Sequence, residues 1–168
     1  MKNIFFVVLL LAIVFQNLSF AQEDGSTKRT QSDYEKMIPD VLKTIEWLET
    51  TPVEKNASTR KDLNAVLLTF ASGYSGVRVD INGFIASYGE VNPNFIMMFI
   101  AGCVKYQLTN KTKQDKENEV MVNEEGLKSI AKLYKLGGIK KSELLDNLIK
   151  AEEEGKLSDI ANEKIKSE

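Results

Sequence analysis

Acid–base chemistry in this chain falls to its carboxylates, because none of its 168 residues is a histidine. Without imidazole the chain lacks the commonest general base, the commonest metal ligand and the usual activator of a serine or cysteine nucleophile. Asp80 follows a glycine-rich break, and Glu90 precedes the most apolar stretch of the sequence. Two acids at one end of a helical bundle could flank a glycosidic bond, one donating a proton and the other serving as base or nucleophile. Asp80 and Glu90 are therefore the candidate catalytic pair of one reading, a carboxylate-based hydrolase acting on envelope glycans. The competing reading is that acids in loops are simply solvated, which leaves no catalytic residue. Cys103 is the sole cysteine, so an intrachain disulfide is excluded. Set inside an apolar run, it reads as a small buried side chain, not a reactive thiol. Gly137-Gly138 lacks the pattern of a phosphate loop and reads as a helix stop. Glu152-Glu153-Glu154 lacks the spaced oxygen ligands of a calcium loop. No metal and no cofactor is expected.

The elements that must position any such groups are helices. From Phe95 to Val104 no side chain is charged or strongly polar. Asn92 and Asn94 flank Pro93, which suits a helix start. A helix that is apolar nearly all round must be covered nearly all round, so residues 94–108 are expected as the central helix. Phe95, Met97, Met98 and Phe99 then read as core and not as the lining of a ligand pocket. Before it, Ser32 and Glu35 match a capping box, and Tyr34, Met37, Ile38, Val41, Leu42, Ile45 and Leu48 recur at helical spacing. Pro39 either kinks that helix or begins it. Leu63, Val66, Leu67, Phe70 and Tyr74 mark a second buried face. Residues 77–81 alternate apolar and polar with no convincing partner strand, and read as an extended connector or the start of a short helix from Asp80 to Tyr88. Thr109 to Asn118 holds no apolar residue and reads as a surface loop. Stripes around Leu127 to Tyr134 and Leu144 to Ile149 predict two further helices, and a last weak one follows Gly155. The expected fold is all-α, a single-domain bundle of about five helices.

The first residues read differently. Met1-Lys2-Asn3 carries positive charge, Ile4 to Phe15 is an unbroken apolar run, and Ser19 and Ala21 stand at the −3 and −1 positions of a cleavage site. That is the pattern of a secretory signal peptide over residues 1–21, cut between Ala21 and Gln22. Residues 22–31 read as a flexible leader and 32–168 as the helical domain. The apolar run falls short of the roughly 20 residues a spanning helix needs, so no stable membrane anchor is expected after cleavage. A net charge of −2 from 22 basic and 24 acidic residues argues against nucleic acid, which needs a concentrated basic surface.

Three stretches carry a resemblance: Ser-Phe-Ala-Gln at 19–22, Trp-Leu-Glu-Thr-Thr-Pro at 47–52 and Asn-Pro-Asn-Phe-Ile-Met-Met-Phe-Ile-Ala-Gly at 92–102. In these the chain resembles small secreted helical proteins of Bacteroidota bacteria with no assigned function. The resemblance implies a periplasmic setting and carries no site residue with it. Absent catalytic machinery beside a large apolar core points to a secreted or periplasmic non-catalytic binding module, whose partner is a protein, a peptide or a small apolar ligand. The intact mass of the exported protein is expected to match a chain starting at Gln22; a mass retaining residues 1–21 would turn the signal into an anchor.

Overall fold

A computed structural model describes residues 29–112 and 118–165. The expected signal peptide over residues 1–21, its expected cleavage between Ala21 and Gln22 and most of the expected leader lie outside the described residues. Among the described residues seven α-helices follow in order: α1 (Gln31–Thr50), α2 (Ala57–Gly73), α3 (Gly83–Val91), α4 (Asn94–Asn110), α5 (Glu119–Lys135), α6 (Glu143–Glu153) and α7 (Leu157–Ile160), the last running into a π-helical turn, Ala161–Ile165. Among the described residues there is no strand. The all-α class stands. The count exceeds the expected five or so because α3 and α7 are short pieces that bury few side chains each.

The chain begins its first helix earlier than the Ser32–Glu35 signature suggests. Thr30 is the cap: its hydroxyl accepts from the Asp33 amide at 3.3 Å, and the Asp33 carboxylate accepts from the Thr30 amide at 2.9 Å. The earlier start brings Gln31 into the helix, where its side chain donates to the Gly73 carbonyl (3.0 Å) and accepts from the Ser75 amide (2.8 Å). It also seats Tyr34 edge-on to Phe70, ring centres 6.1 Å apart. These ties to the end of α2 favour Thr30 over a cap that closes only on itself. Pro39 lies within α1. Both Pro39 and Glu35, whose carbonyl the missing N–H would have served, are exposed residues, so water can take the freed group.

Helix α4 spans Asn94–Asn110 and buries Phe95, Met98, Phe99, Ile100, Ala101, Cys103 and Val104. It extends two residues beyond the expected end. Thr109 and Asn110 turn their side chains back onto the Lys105 and Tyr106 carbonyls, which carries the helix into what reads as loop in sequence. The most extensive packing among the described helices is between α4 and α5. Two glycines permit it. A methyl group on Gly102 would overlap the Glu125 carbonyl oxygen of α5 and stand 2.7 Å from the Ser129 hydroxyl. One on Gly126 would stand 2.5 Å from the Phe99 ring and 2.8 Å from Cys103 Sγ. The pair is then enclosed: α1, α2 and α3 pack on α4, while α1, α6 and α7 pack on α5.

Phe99→Ala is expected to lower the unfolding free energy by roughly 3–5 kcal/mol, from lost transfer energy plus a cavity, out of about 5–15 kcal/mol for a typical domain. Burial pushes the Cys103 thiol far above its ordinary range, so a thiol reagent should label it only after denaturation. Rapid labelling of the native protein, with Phe99→Ala leaving the melting temperature unchanged, would show that this face is open.

Candidate functional site

Asp80 and Glu90 are placed at opposite ends of α3. Asp80 lies in the extended connector before the helix, its Oδ2 3.0 Å from Arg78 Nε. Glu90 is an exposed residue in the last turn of α3, not in the loop that follows it. Eight residues of helix, roughly 12 Å of rise, run from the cap at Asn82 to Glu90. Two surface recesses, one between α5 and α6 and a smaller one beside Arg60, are lined by neither acid. The structure does not bring the two acids together. Residues 77–81 explain their own alternation. Gln107, buried in α4, accepts from the Arg78 amide (3.0 Å) and donates to the Arg78 carbonyl (2.8 Å). A side-chain amide here replaces a neighbouring strand. Val77 is thereby buried, Arg78 exposed and Val79 half-buried.

Three charged residues are buried among the described ones, Glu49, Arg60 and Glu119, and two of them tie helices together. Glu49, 8% exposed, stands at the end of α1 facing α4 and α5. Lys105 donates to its Oε2 at 2.7 Å, Ser129 to Oε1 at 2.7 Å, and Lys132 reaches Oε1 at 3.3 Å. Burial pushes this carboxyl up, but the bonds from Lys105 and Ser129 and the charge of Lys132 outweigh it and hold it below its ordinary value. Arg60, 2% exposed, is the other. Its Nη2 donates to the Leu48 carbonyl at 3.1 Å and to the Thr51 carbonyl, and the guanidinium lies over the Trp47 ring, 5.6 Å from its centre. Burial pulls its pKa down. The signal for both was legible. Glu49 falls four residues after Ile45, and Arg60 three before Leu63, each on the apolar stripe of its own helix. A charge at such a register must meet a partner.

A recess lies between the end of α5 and α6. It is an open groove of about 410 Å³, lined by Tyr134, Ile139 and Ile149, with Lys135, Lys141, Lys150, Asp146 and Glu153 among its polar residues. Gly137 and Gly138, at φ 81° and 79°, turn the chain between the two helices in the left-handed region that favours glycine. The helix stop expected at these glycines is thus in place. Ser142 caps α6 by accepting from the Leu145 amide at 3.3 Å. The polar wall is partly fixed: Tyr134 Oη donates to Asp146 at 2.8 Å, and Lys135 Nζ lies 2.7 Å from Glu152. Among the described residues no group of three or more acids or cysteines is placed to hold a metal ion, and no helix is long and apolar enough to cross a membrane. In comparisons with known proteins, no family model, no curated protein and no solved structure matches this chain.

Glu49 gives a pH dependence with a definite sign. Its folded pKa is depressed, so its contribution is present above the ordinary carboxyl range and is lost as pH falls through the lower, folded value. Glu49→Gln is expected to lower the unfolding free energy at pH 7 by roughly 2 kcal/mol. Urea titrations of both proteins should show this gap closing below about pH 4. A gap that is constant from pH 7 to pH 3 would mean that the carboxylate charge contributes nothing.

Proposed function

We propose that this protein is a secreted or periplasmic, non-catalytic binding module that takes a short peptide segment in the α5–α6 cleft. The observation that carries the reading is the cleft itself. Its volume of about 410 Å³ falls in the range of roughly 300–1,000 Å³ typical of ligand sites. Tyr134, Ile139 and Ile149 offer an apolar floor, and lysines and acids are interspersed around it. A floor of that kind suits one apolar side chain, and a rim of both signs suits flanking residues of both signs. Lys141 is in no ion pair among the described residues, which leaves it for an acidic neighbour in the ligand. The signal-like N-terminus and the resemblance to secreted Bacteroidota proteins support the setting. The hydrolase reading would need Asp80 and Glu90 to act across one bond, and no observation favours that.

The test is fluorescence anisotropy with labelled peptides carrying a leucine between one acidic and one basic residue. Such peptides are expected to bind, and Ile149→Lys or Lys141→Glu should weaken them by roughly tenfold, about 1.4 kcal/mol. Lys141 is exposed, so its variant separates loss of binding from loss of fold. Binding unmoved by both substitutions would place the ligand elsewhere. Cleavage of envelope glycan that Glu90→Gln abolishes would replace the reading with the hydrolase.

A further inference from the structure

Asn82 and Gly83 form the sole Asn-Gly pair of the sequence, and they stand where α3 begins. Asn82 is the cap residue: its Oδ1 accepts from the Ile85 amide at 3.0 Å. Its Nδ2 donates to the Lys164 carbonyl at 2.6 Å, 82 residues further along the chain. That bond ties α3 to the π-helical turn Ala161–Ile165, which packs on α5 and α3 and buries Ala161 and Ile165. One side chain therefore holds both a helix start and a distant turn.

The same placement suits a reaction of that side chain with the residue after it. A backbone nitrogen can attack the side-chain carbonyl carbon of a preceding asparagine and close a five-membered ring. Gly83 has no Cβ to obstruct the approach and is exposed, so water reaches the pair. At ψ −179° the Gly83 nitrogen lies opposite the Asn82 nitrogen and hence gauche to Cβ, a part turn from Cγ. As the first residue of a helix, Gly83 has no intrahelical acceptor for its amide, and among the described residues that amide makes no other backbone bond. The positive end of the helix eases the loss of its proton. The Ile85 amide, already on Oδ1, meets the negative charge this oxygen gains in the tetrahedral intermediate.

We propose that Asn82 is a self-deamidation site whose conversion frees the turn 161–165 from α3. The Gly83 nitrogen loses its proton to water and bonds to Cγ. The Cγ–Nδ2 bond then breaks, and ammonia leaves with a proton returned by water. A further water opens the ring: breaking the new bond at Cγ gives aspartate, and breaking the main-chain bond gives isoaspartate. The sum is one water consumed and one ammonia released. An aspartate still caps the Ile85 amide, but when ionised it has acceptors only. The Lys164 carbonyl loses its donor and faces a negative charge, so α3 persists while the turn is released from it. The site shares no residue with the α5–α6 cleft, so either can fail without the other.

The test is incubation of the native protein at mildly alkaline pH in heavy-oxygen water, read by peptide mass spectrometry. Residue 82 is expected to lose ammonia and gain one heavy oxygen before any other asparagine does. Gly83→Ala, whose methyl group meets nothing within 4 Å, should slow the conversion by at least roughly tenfold, because a Cβ obstructs the attacking nitrogen. Asn82→Asp, which presets the product, should keep the helical circular dichroism and speed amide hydrogen exchange over 161–165 by roughly fivefold, the effect of one lost hydrogen bond. If Asn82 survives in the native protein while the urea-unfolded chain loses it, the cap protects the side chain and the proposal is overturned. An unchanged rate in Gly83→Ala, or unchanged exchange in Asn82→Asp, would overturn it equally.

Discussion

The contact between α4 and α5 is the constraint on which the other elements depend. Two helices of ordinary composition are held apart by their side chains, at 8–10 Å between axes. Here Gly102 gives up its side chain to the Glu125 carbonyl and Ser129, and Gly126 gives up its own to Phe99 and Cys103. Each glycine is therefore a socket for the other helix. The exchange explains why Phe99 and Cys103 are fully buried, and why Ser129 sits close enough to α1 to donate to Glu49. A glycine inside a helix weakens it by about 1 kcal/mol relative to alanine. This helix pair carries two of them and regains the difference through contact.

Charge does a related task at the end of α1. That helix has no basic residue in its last turn. Arg60 reaches from α2 to its last carbonyls, placing a cation where the helix dipole is negative. From the same turn Glu49 points the other way, into Lys105, Ser129 and Lys132. One turn of α1 is thus tied to α2 by a cation and to α4 and α5 by an anion. Ion pairs of this kind are weak sources of stability; their effect is to fix where α1 ends relative to its neighbours. Fixing that end also shapes the small recess beside Arg60.

Much of the fold was legible in the sequence, because α1, α4, α5 and α6 each carry an apolar stripe at helical period and a recognisable start or stop. The Gly137-Gly138 stop and the Ser142 cap are local rules that tertiary structure did not override. What was not legible depended on partners distant in sequence. The start of α1 at Thr30 follows from the tie of Gln31 to Gly73 and Ser75, 42 and 44 residues away. The alternation at 77–81 is strand-like because Gln107 pairs with the backbone of Arg78 as a strand would. Glu49 and Arg60 carried a signal, a charge on an apolar stripe, but not the identity of the partner. The acid pair stands at opposite ends of α3, which the sequence offered as one reading, a short helix from Asp80 to Tyr88, but which runs from Gly83 to Val91. Neither recess could be read from sequence, since each is formed by residues from separate helices.

The most direct measurement is the unfolding free energy of Gly102→Ala and Gly126→Ala, singly and together, by urea denaturation. At a helical position with open space, glycine to alanine stabilises by about 0.4–1 kcal/mol. The close α4–α5 contact predicts the opposite sign: each substitution destabilises by roughly 1–3 kcal/mol through overpacking. The double variant should depart from the sum, because both act on one interface. Stabilisation by either alanine, or additive small effects of the ordinary sign, would contradict the close packing of α4 on α5.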